Sequence, residues 1–412
     1  MSKPLKILIL FIAVNALVST FIFINKKDSS PDSSLALAVE SIKIIPTPEP
    51  VASEIQNNTV SNPELYLSAI LSGSSNTQKR TTYTSQNQRV AEPNQTQPEG
   101  TIRYYGDIQH IFFHSLIIYP EKAATDHASA GSYDDYMITR DQFVIILQQL
   151  YDANFILIDS RNLYSVGNNG SVSKQNLYIP AGKKPLILSL DDLSYYKYMK
   201  DGGFANRLVL KNGIIQTEVI TPEGDILITN DGDVIPIIDS FVKTHPDFSW
   251  QGAKGIIALT GYEGVLGYDT HATGLHGANE RSIVKPIVQA LKNTGWIFAN
   301  HSYSHGSSFR KNTISESGLS TDIRRWLQGT GLVVGKTNIF IGPFGQVFQE
   351  GDSRRRQLIE AGFPILHGVG LNPYLEYFGD HVVMDRIDID GYRIRNNPNK
   401  LKSLLGIDTS KL

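Results

Sequence analysis

The sequence predicts an α/β fold, a parallel sheet or barrel of alternating strands and helices, interrupted by an antiparallel β insertion. Three observations predict it. From Ile102 onward, short apolar runs alternate with amphipathic stretches, the pattern of successive βα units. Between about 201 and 235 the pattern changes to alternating residues broken by Asn212-Gly213, Glu223-Gly224 and Asp231-Gly232, which is the turn chemistry of hairpins. The chain of 412 residues, 41% hydrophobic and 19% charged, has ordinary globular composition and room for a sizeable core.

The N-terminal part stands outside this pattern. Lys3 and Lys6 precede an apolar run from Ile7 to Ile24, broken only by Asn15, Ser19 and Thr20, and Lys26 and Lys27 close it. The run reaches the lower limit for spanning a bilayer. The nearest small-residue cleavage pattern, Ala36-Leu37-Ala38, lies well beyond it. Residues 1–27 are therefore expected to be an uncleaved membrane anchor rather than a removed signal. The folded part would then be extracytoplasmic on a single-pass anchor, or secreted if the segment is cleaved. Residues 28–100 are rich in Ser, Pro, Asn, Gln and Thr and read as a disordered tether. Within them, 62–73 has the pattern of a short helix.

Residues 101–412 read as one catalytic domain. "HIFFHSLII" (110–118) is its first strand. Thr139 followed by Gln142 has the spacing of a capping box, and Phe143, Ile146, Leu147 and Leu150 then share one helical face. "FILIDS" (155–160) and "KPLILSL" (184–190) are strands. The interval from Leu193 to Ala299 is too long for a single βα connection. It holds the hairpin insertion, a helix at "IIDSFVKTHPDF" (237–248) and a return to the sheet at "GAKGIIAL" (252–259). Helix "SIVKPIVQALKNTG" (282–295), strand "WIFANHS", helix "TDIRRWLQG", strand "TNIFIG", helix "SRRRQLIEAG" and strand "PILHGVG" complete the series.

The net charge of -2 gives no support for nucleic-acid binding, and with no cysteine any metal site must use His, Asp or Glu. Two places offer such groups at the ends of strands. "ILSLDD" ends a buried run in Asp191 and Asp192. "FANHSYSH" ends another in His301 and His305, four apart. If a helical turn begins there, both imidazoles share a face and bind one cation through neutral nitrogens. Two His and one Asp with open positions make a catalytic metal site, and the other aspartate then has a role as the base that accepts a proton from water.

These motifs resemble the NodB-type polysaccharide deacetylases, carbohydrate esterase family four. "SLDD" is similar to their first motif, "HSYSH" to their second and "FFHSL" to their opening strand; the Gln-Phe helix and "NFILIDSRNL" are similar too. The resemblance covers about Ile108 to Arg395 and implies a distorted (β/α) barrel that removes N-acetyl groups from a cell-wall or surface polysaccharide. It implies that Asp191 is the general base and that Asp192, His301 and His305 hold a divalent metal, Zn2+ first among those the family accepts. The implied partner is an acetylated glycan polymer, reached from the membrane.

The third motif survives as Pro343, Phe344 and Gly345, with the Phe344 N–H as a donor to substrate. Its arginine, which orients the aspartate, is missing near Gly342, and Arg386 is the candidate replacement. The last motif, Leu-x-His, points to His367 as the general acid, one place off the usual spacing, with His381 as the other option. His114 is expected to line the substrate cleft. Two other readings stay open: a catalytically impaired glycan-binding or envelope-morphogenesis protein, and an O-acetyl esterase acting on xylan-like glycans.

Overall fold

The computed structural model describes residues 97–125, 133–200 and 202–412. The expected anchor, the tether apart from 97–100, and the short helix at 62–73 lie outside the described residues. Among those residues, no helix is long and apolar enough to cross a membrane.

Seven parallel strands form a closed barrel: β1 (Gln109–Phe113), β2 (Lys184–Leu190), β3 (Gly255–Leu259), β4 (Trp296–Asn300), β5 (Ile339–Ile341), β6 (Ile365–Val369) and β7 (Val382–Asp388). Each pairs with the next in chain order, and β7 pairs with β1 through Ile387↔Ile111. The join between β2 and β3 is short, at Ile256↔Ser189 and Ile257↔Leu190. Below it the sheet splays. The strand Phe155–Leu157 fills that gap by pairing with the start of β2, so "FILIDS" is a strand but not a stave of the ring. This splay is the distortion of the barrel.

Strand residues alternate between two faces, and the apolar ones sort into two cores. Ile187, Ile256, Ala258, Ala299, Ile339, Ile341, Ile365, Val382 and Met384 pack inside the barrel. Leu186, Leu188, Leu190, Ile257, Phe340, Leu366 and Val383 face outward against the helices. The helix Arg140–Asp152 begins with the expected capping box, in which Gln142 N donates to Thr139 Oγ1 at 3.2 Å and Thr139 N to Gln142 Oε1 at 2.9 Å. Its buried face is Phe143, Ile146, Leu147 and Leu150. Helices Val234–Thr244, Gly274–Asn293, Glu316–Gln328 and Ser353–Glu360 follow β2, β3, β4 and β5.

The insertion is a three-stranded antiparallel sheet of Ala205–Lys211, Ile214–Ile220 and Ile226–Thr229. Its first turn places Asn212 at φ 53° and Gly213 at φ 76°, the two left-handed residues that a tight right-twisted hairpin requires. The helix Gly274–Asn293 starts well before the expected 282, with His276 in its first turn.

Candidate metal centre and its base

The C-terminal ends of the barrel strands collect the chemistry, as in other (β/α) barrels. Asp191 continues the inward face of β2 after Ile187 and Ser189, and its N–H donates to Phe113 O at 2.9 Å. An ordinary strand would point Asp192 the other way. Asp192 instead adopts φ 60°, and this left-handed backbone turns the second carboxylate toward the same cleft. Two adjacent carboxylates therefore face one space because the chain breaks its strand geometry between them.

The "HSYSH" segment differs from its expected form. It is an irregular loop, not a helical turn, with Ser302 at φ 65° and His305 at φ 45°. The loop is held from below. Asp322, buried on the helix Glu316–Gln328, accepts from Ser302 Oγ (3.1 Å), Tyr303 N (2.7 Å), Ser304 N (3.0 Å) and Ser304 Oγ (2.6 Å). Asn300 Oδ1 accepts from Ser302 N at 2.8 Å. The loop still brings the two imidazoles together, with ring centroids 4.9 Å apart. Asp192, Ser302, His305 and Phe344 all have positive φ around one cleft. Such backbone costs about 1–3 kcal/mol per residue and gathers at functional sites.

The donors of Asp192, His301 and His305 lie within 4.8 Å of one another. His301 Nε2 is 3.8 Å from Asp192 Oδ1, and His305 Nε2 is 3.8 Å from Asp192 Oδ2. Donors about 2 Å from a tetrahedral ion stand about 3.3 Å apart, so the set needs only a small contraction. His301 Nδ1 lies 2.8 Å from Ile341 O. A carbonyl only accepts, so Nδ1 carries the proton and Nε2 keeps its lone pair for the cleft. Burial lowers the His305 pKa despite Asp192 beside it, which keeps that ring neutral and able to donate. The residues fit a divalent cation.

Asp191 is held differently. Arg386, fully buried on β7, donates from Nη1 to Oδ1 at 2.6 Å and from Nη2 to Oδ2 at 2.9 Å. Arg386 also bonds Ser189 Oγ and Gly368 O, and stacks on the Phe112 ring at 4.2 Å. Burial alone would raise the Asp191 pKa. The Arg386 charge, His301 and the Arg386 hydrogen bonds outweigh it and hold the carboxyl well below the usual carboxylate range. Burial likewise works against ionisation of Asp192, and His305, His301, His114 and the Tyr196 hydroxyl reverse it.

The remaining expected residues divide. Half-buried His114, just past β1, acts electrostatically on Asp191, Asp192 and Asp390. Pro343 is buried, and the Phe344 ring packs tilted against His305, with centroids 4.4 Å and planes 56° apart. Gly345 N and Gln346 N close the Pro343–Gly345 turn, which leaves the Phe344 N–H out of its closure. His367 is one layer deeper than Arg386: it neighbours Met384 on β7, whereas Arg386 neighbours Val369. Its ring packs edge-on against His110, both its nitrogens lack a hydrogen-bond partner, and burial and then Arg386 push its pKa down to about 3. A neutral ring beneath the floor of the cleft is poorly placed to act as an acid. His381 precedes β7, at the opposite end of the barrel, and bonds Asp380 at 2.6 Å.

The sequence reading gave no role to Asp322, Tyr196 or Thr260. The available signal for Asp322 was an acid on the same helical face as Leu319, Ile323 and Trp326, all of which are buried. The Tyr196 hydroxyl donates to Asp192 Oδ1 at 2.5 Å, a contact that no spacing rule announces.

No family model matches the chain, and no curated protein matches it. A solved structure of a de-N-acetylase from Aggregatibacter actinomycetemcomitans is similar over 72% of this chain and 99% of that one, with 12% identity and a TM-score of 0.38. A likeness this distant carries no conclusion about function.

Proposed function

We propose that the protein is a metal-dependent hydrolase that removes N-acetyl groups from a cell-wall or surface polysaccharide, held outside the membrane by its N-terminal segment. One observation carries this reading. A carboxylate locked by a bidentate arginine lies beside a two-histidine, one-aspartate donor set at the mouth of a barrel. A divalent cation in that set, Zn2+ by its nitrogen-rich donors, supplies a Lewis acid that polarises an acyl carbonyl and acidifies water.

The chain's own residues do the rest. Asp191, kept ionised and aimed by Arg386, accepts the proton of the attacking water. Its Oδ2 is 3.8 Å from His301 Nε2, so base and donor set border the same space. The Phe344 N–H donates to the oxygen that gains charge as the carbonyl is attacked. His114, at the rim and near both aspartates, hands a proton to the departing nitrogen, a task that the depth of His367 denies it. A tethered enzyme suits an insoluble polymer that cannot diffuse to it.

The test is acetate release from poly-N-acetylglucosamine, chitooligosaccharides and peptidoglycan by the Zn2+-supplemented protein. Release is expected from at least one of them, and Asp191→Asn is expected to lower it about 100-fold or more while bound zinc is retained. Release from acetylated xylan alone would replace this reading with an O-acetyl esterase. No release from any of them, with glycan binding retained, would make the protein a binding module.

A further inference from the structure

Tyr196 has no part in the reaction proposed above, yet its hydroxyl is committed on both sides. It lies 2.5 Å from Asp192 Oδ1 and 2.9 Å from Thr260 Oγ1, and Thr260 Oγ1 lies 3.0 Å from Ser194 Oγ. An ionised carboxylate only accepts, so the single phenolic proton points at Asp192. Thr260 must then donate to the phenol oxygen, and Ser194 to Thr260. The hydroxyls form a one-way chain that ends on the metal-ligand candidate. The ring is 4% exposed and held between Tyr198 (centroids 5.4 Å apart, planes 13° apart) and Tyr262 (5.1 Å, 14°). The hydroxyl therefore has little freedom to leave.

Asp192 needs such a hold. Its backbone is in the left-handed region, and its two oxygens face different partners. Oδ1 takes the tyrosine proton and lies 3.8 Å from His301 Nε2, while Oδ2 lies 3.8 Å from His305 Nε2, so the hydroxyl is what distinguishes two oxygens that both border the cleft. We propose that Tyr196 is a positioning residue for the cation, occupying Oδ1 so that Asp192 presents a single oxygen. One oxygen and two imidazole nitrogens leave one position of a tetrahedron open, which suits Zn2+. A carboxylate released from the tyrosine chelates through both oxygens, raises the coordination number, and shifts preference toward oxygen-seeking ions such as Mn2+. The inference rests on the metal reading above and adds to it the device that sets coordination number.

The experiment compares the wild type with Tyr196→Phe by equilibrium titration with Zn2+ and Mn2+ and by visible absorption of the Co2+-loaded proteins. Tyr196→Phe is expected to bind Zn2+ 10–100-fold more weakly and to lose Zn2+ preference over Mn2+. Its Co2+ bands are expected to weaken from tetrahedral intensity toward that of higher coordination. Thr260→Val, which keeps the tyrosine and frees only its far side, is expected to shift the same quantities less. A packing role alone would lower the melting temperature and leave the Co2+ spectrum unchanged. A folded Tyr196→Phe with wild-type Zn2+ affinity and spectrum overturns the proposal. If that variant does not fold, Thr260→Val with wild-type values overturns it. A wild type that binds none of the ions removes the metal reading itself, and with it this inference, which is a different result from a wild type that binds and a variant that matches it.

Discussion

Arg386 sets the electrostatics of the site. Its side chain and that of Asp191 are both withdrawn from water, and both carboxylate oxygens are engaged. Removing one member of such a pair leaves the other buried and uncompensated, which costs about 3–5 kcal/mol. Arg386→Gln is therefore expected to destabilise the fold by an amount of that order, read by denaturant unfolding. It is also expected to raise the Asp191 pKa, since burial is then opposed only by His301 and His114. The sign follows: in the wild type the depressed carboxyl adds stability above the unfolded-state value of about 4 and loses it as pH falls below. In the variant, the acidic limb of the pH–rate profile moves to higher pH. An unmoved limb would separate Arg386 from the base. At this scale the sequence was partly legible. His301 and His305 were found by their spacing, although the helical turn invoked for them is absent. Arg386 stood only as a candidate, because its partner is 195 residues away and no local pattern joins them.

At the scale of elements, the capping box at Thr139 and the hairpin at Asn212-Gly213 were legible because local residues satisfy local backbone. The loop 301–305 was not, because its backbone is satisfied by Asp322 on the following helix. Asp322→Ala leaves the N–H groups of Tyr303 and Ser304 without that acceptor, each worth about 1–3 kcal/mol if buried and unpaired. The expected result is a lowered melting temperature together with roughly 10–100-fold weaker Zn2+ binding, since His301 and His305 lose their support. Unchanged Zn2+ affinity would mean that the loop holds its own shape.

A second element carries its own pH signature. Fully buried Asp233 caps the helix Val234–Thr244, accepting from Val234 N at 2.7 Å and from Leu116 N at 3.1 Å. Burial outweighs these bonds and raises its pKa to about 6. A folded-state value above the unfolded one means the folded protein binds the proton more tightly. This contribution is full below about pH 4 and is lost as pH rises through 6, on the order of 2–3 kcal/mol. Comparing unfolding free energies of wild type and Asp233→Asn at pH 4.5 and 7 checks it: the wild type should lose stability relative to the variant as pH rises. A difference independent of pH would contradict it.

For the whole molecule, strict strand–helix alternation made the parallel arrangement legible, and the insertion showed as a change of period. Closure was not legible from that pattern, since an open parallel sheet has the same alternation. It depends on four residues, Ser189 and Leu190 against Ile256 and Ile257, and on Phe155–Leu157 filling the splay beneath them. Closure places the ends of β2, β4, β5 and β7 around one mouth. That is how Asp191, Asp192, His301, His305, Phe344 and Arg386 come together from a span of nearly two hundred residues.

The most direct measurement is an equilibrium titration of the purified protein with Zn2+, repeated on His301→Ala, His305→Ala and Asp191→Asn. The expected result is one ion per chain in the wild type, loss of that site in both histidine variants, and its retention in Asp191→Asn. Wild-type Zn2+ affinity in either histidine variant would contradict the account.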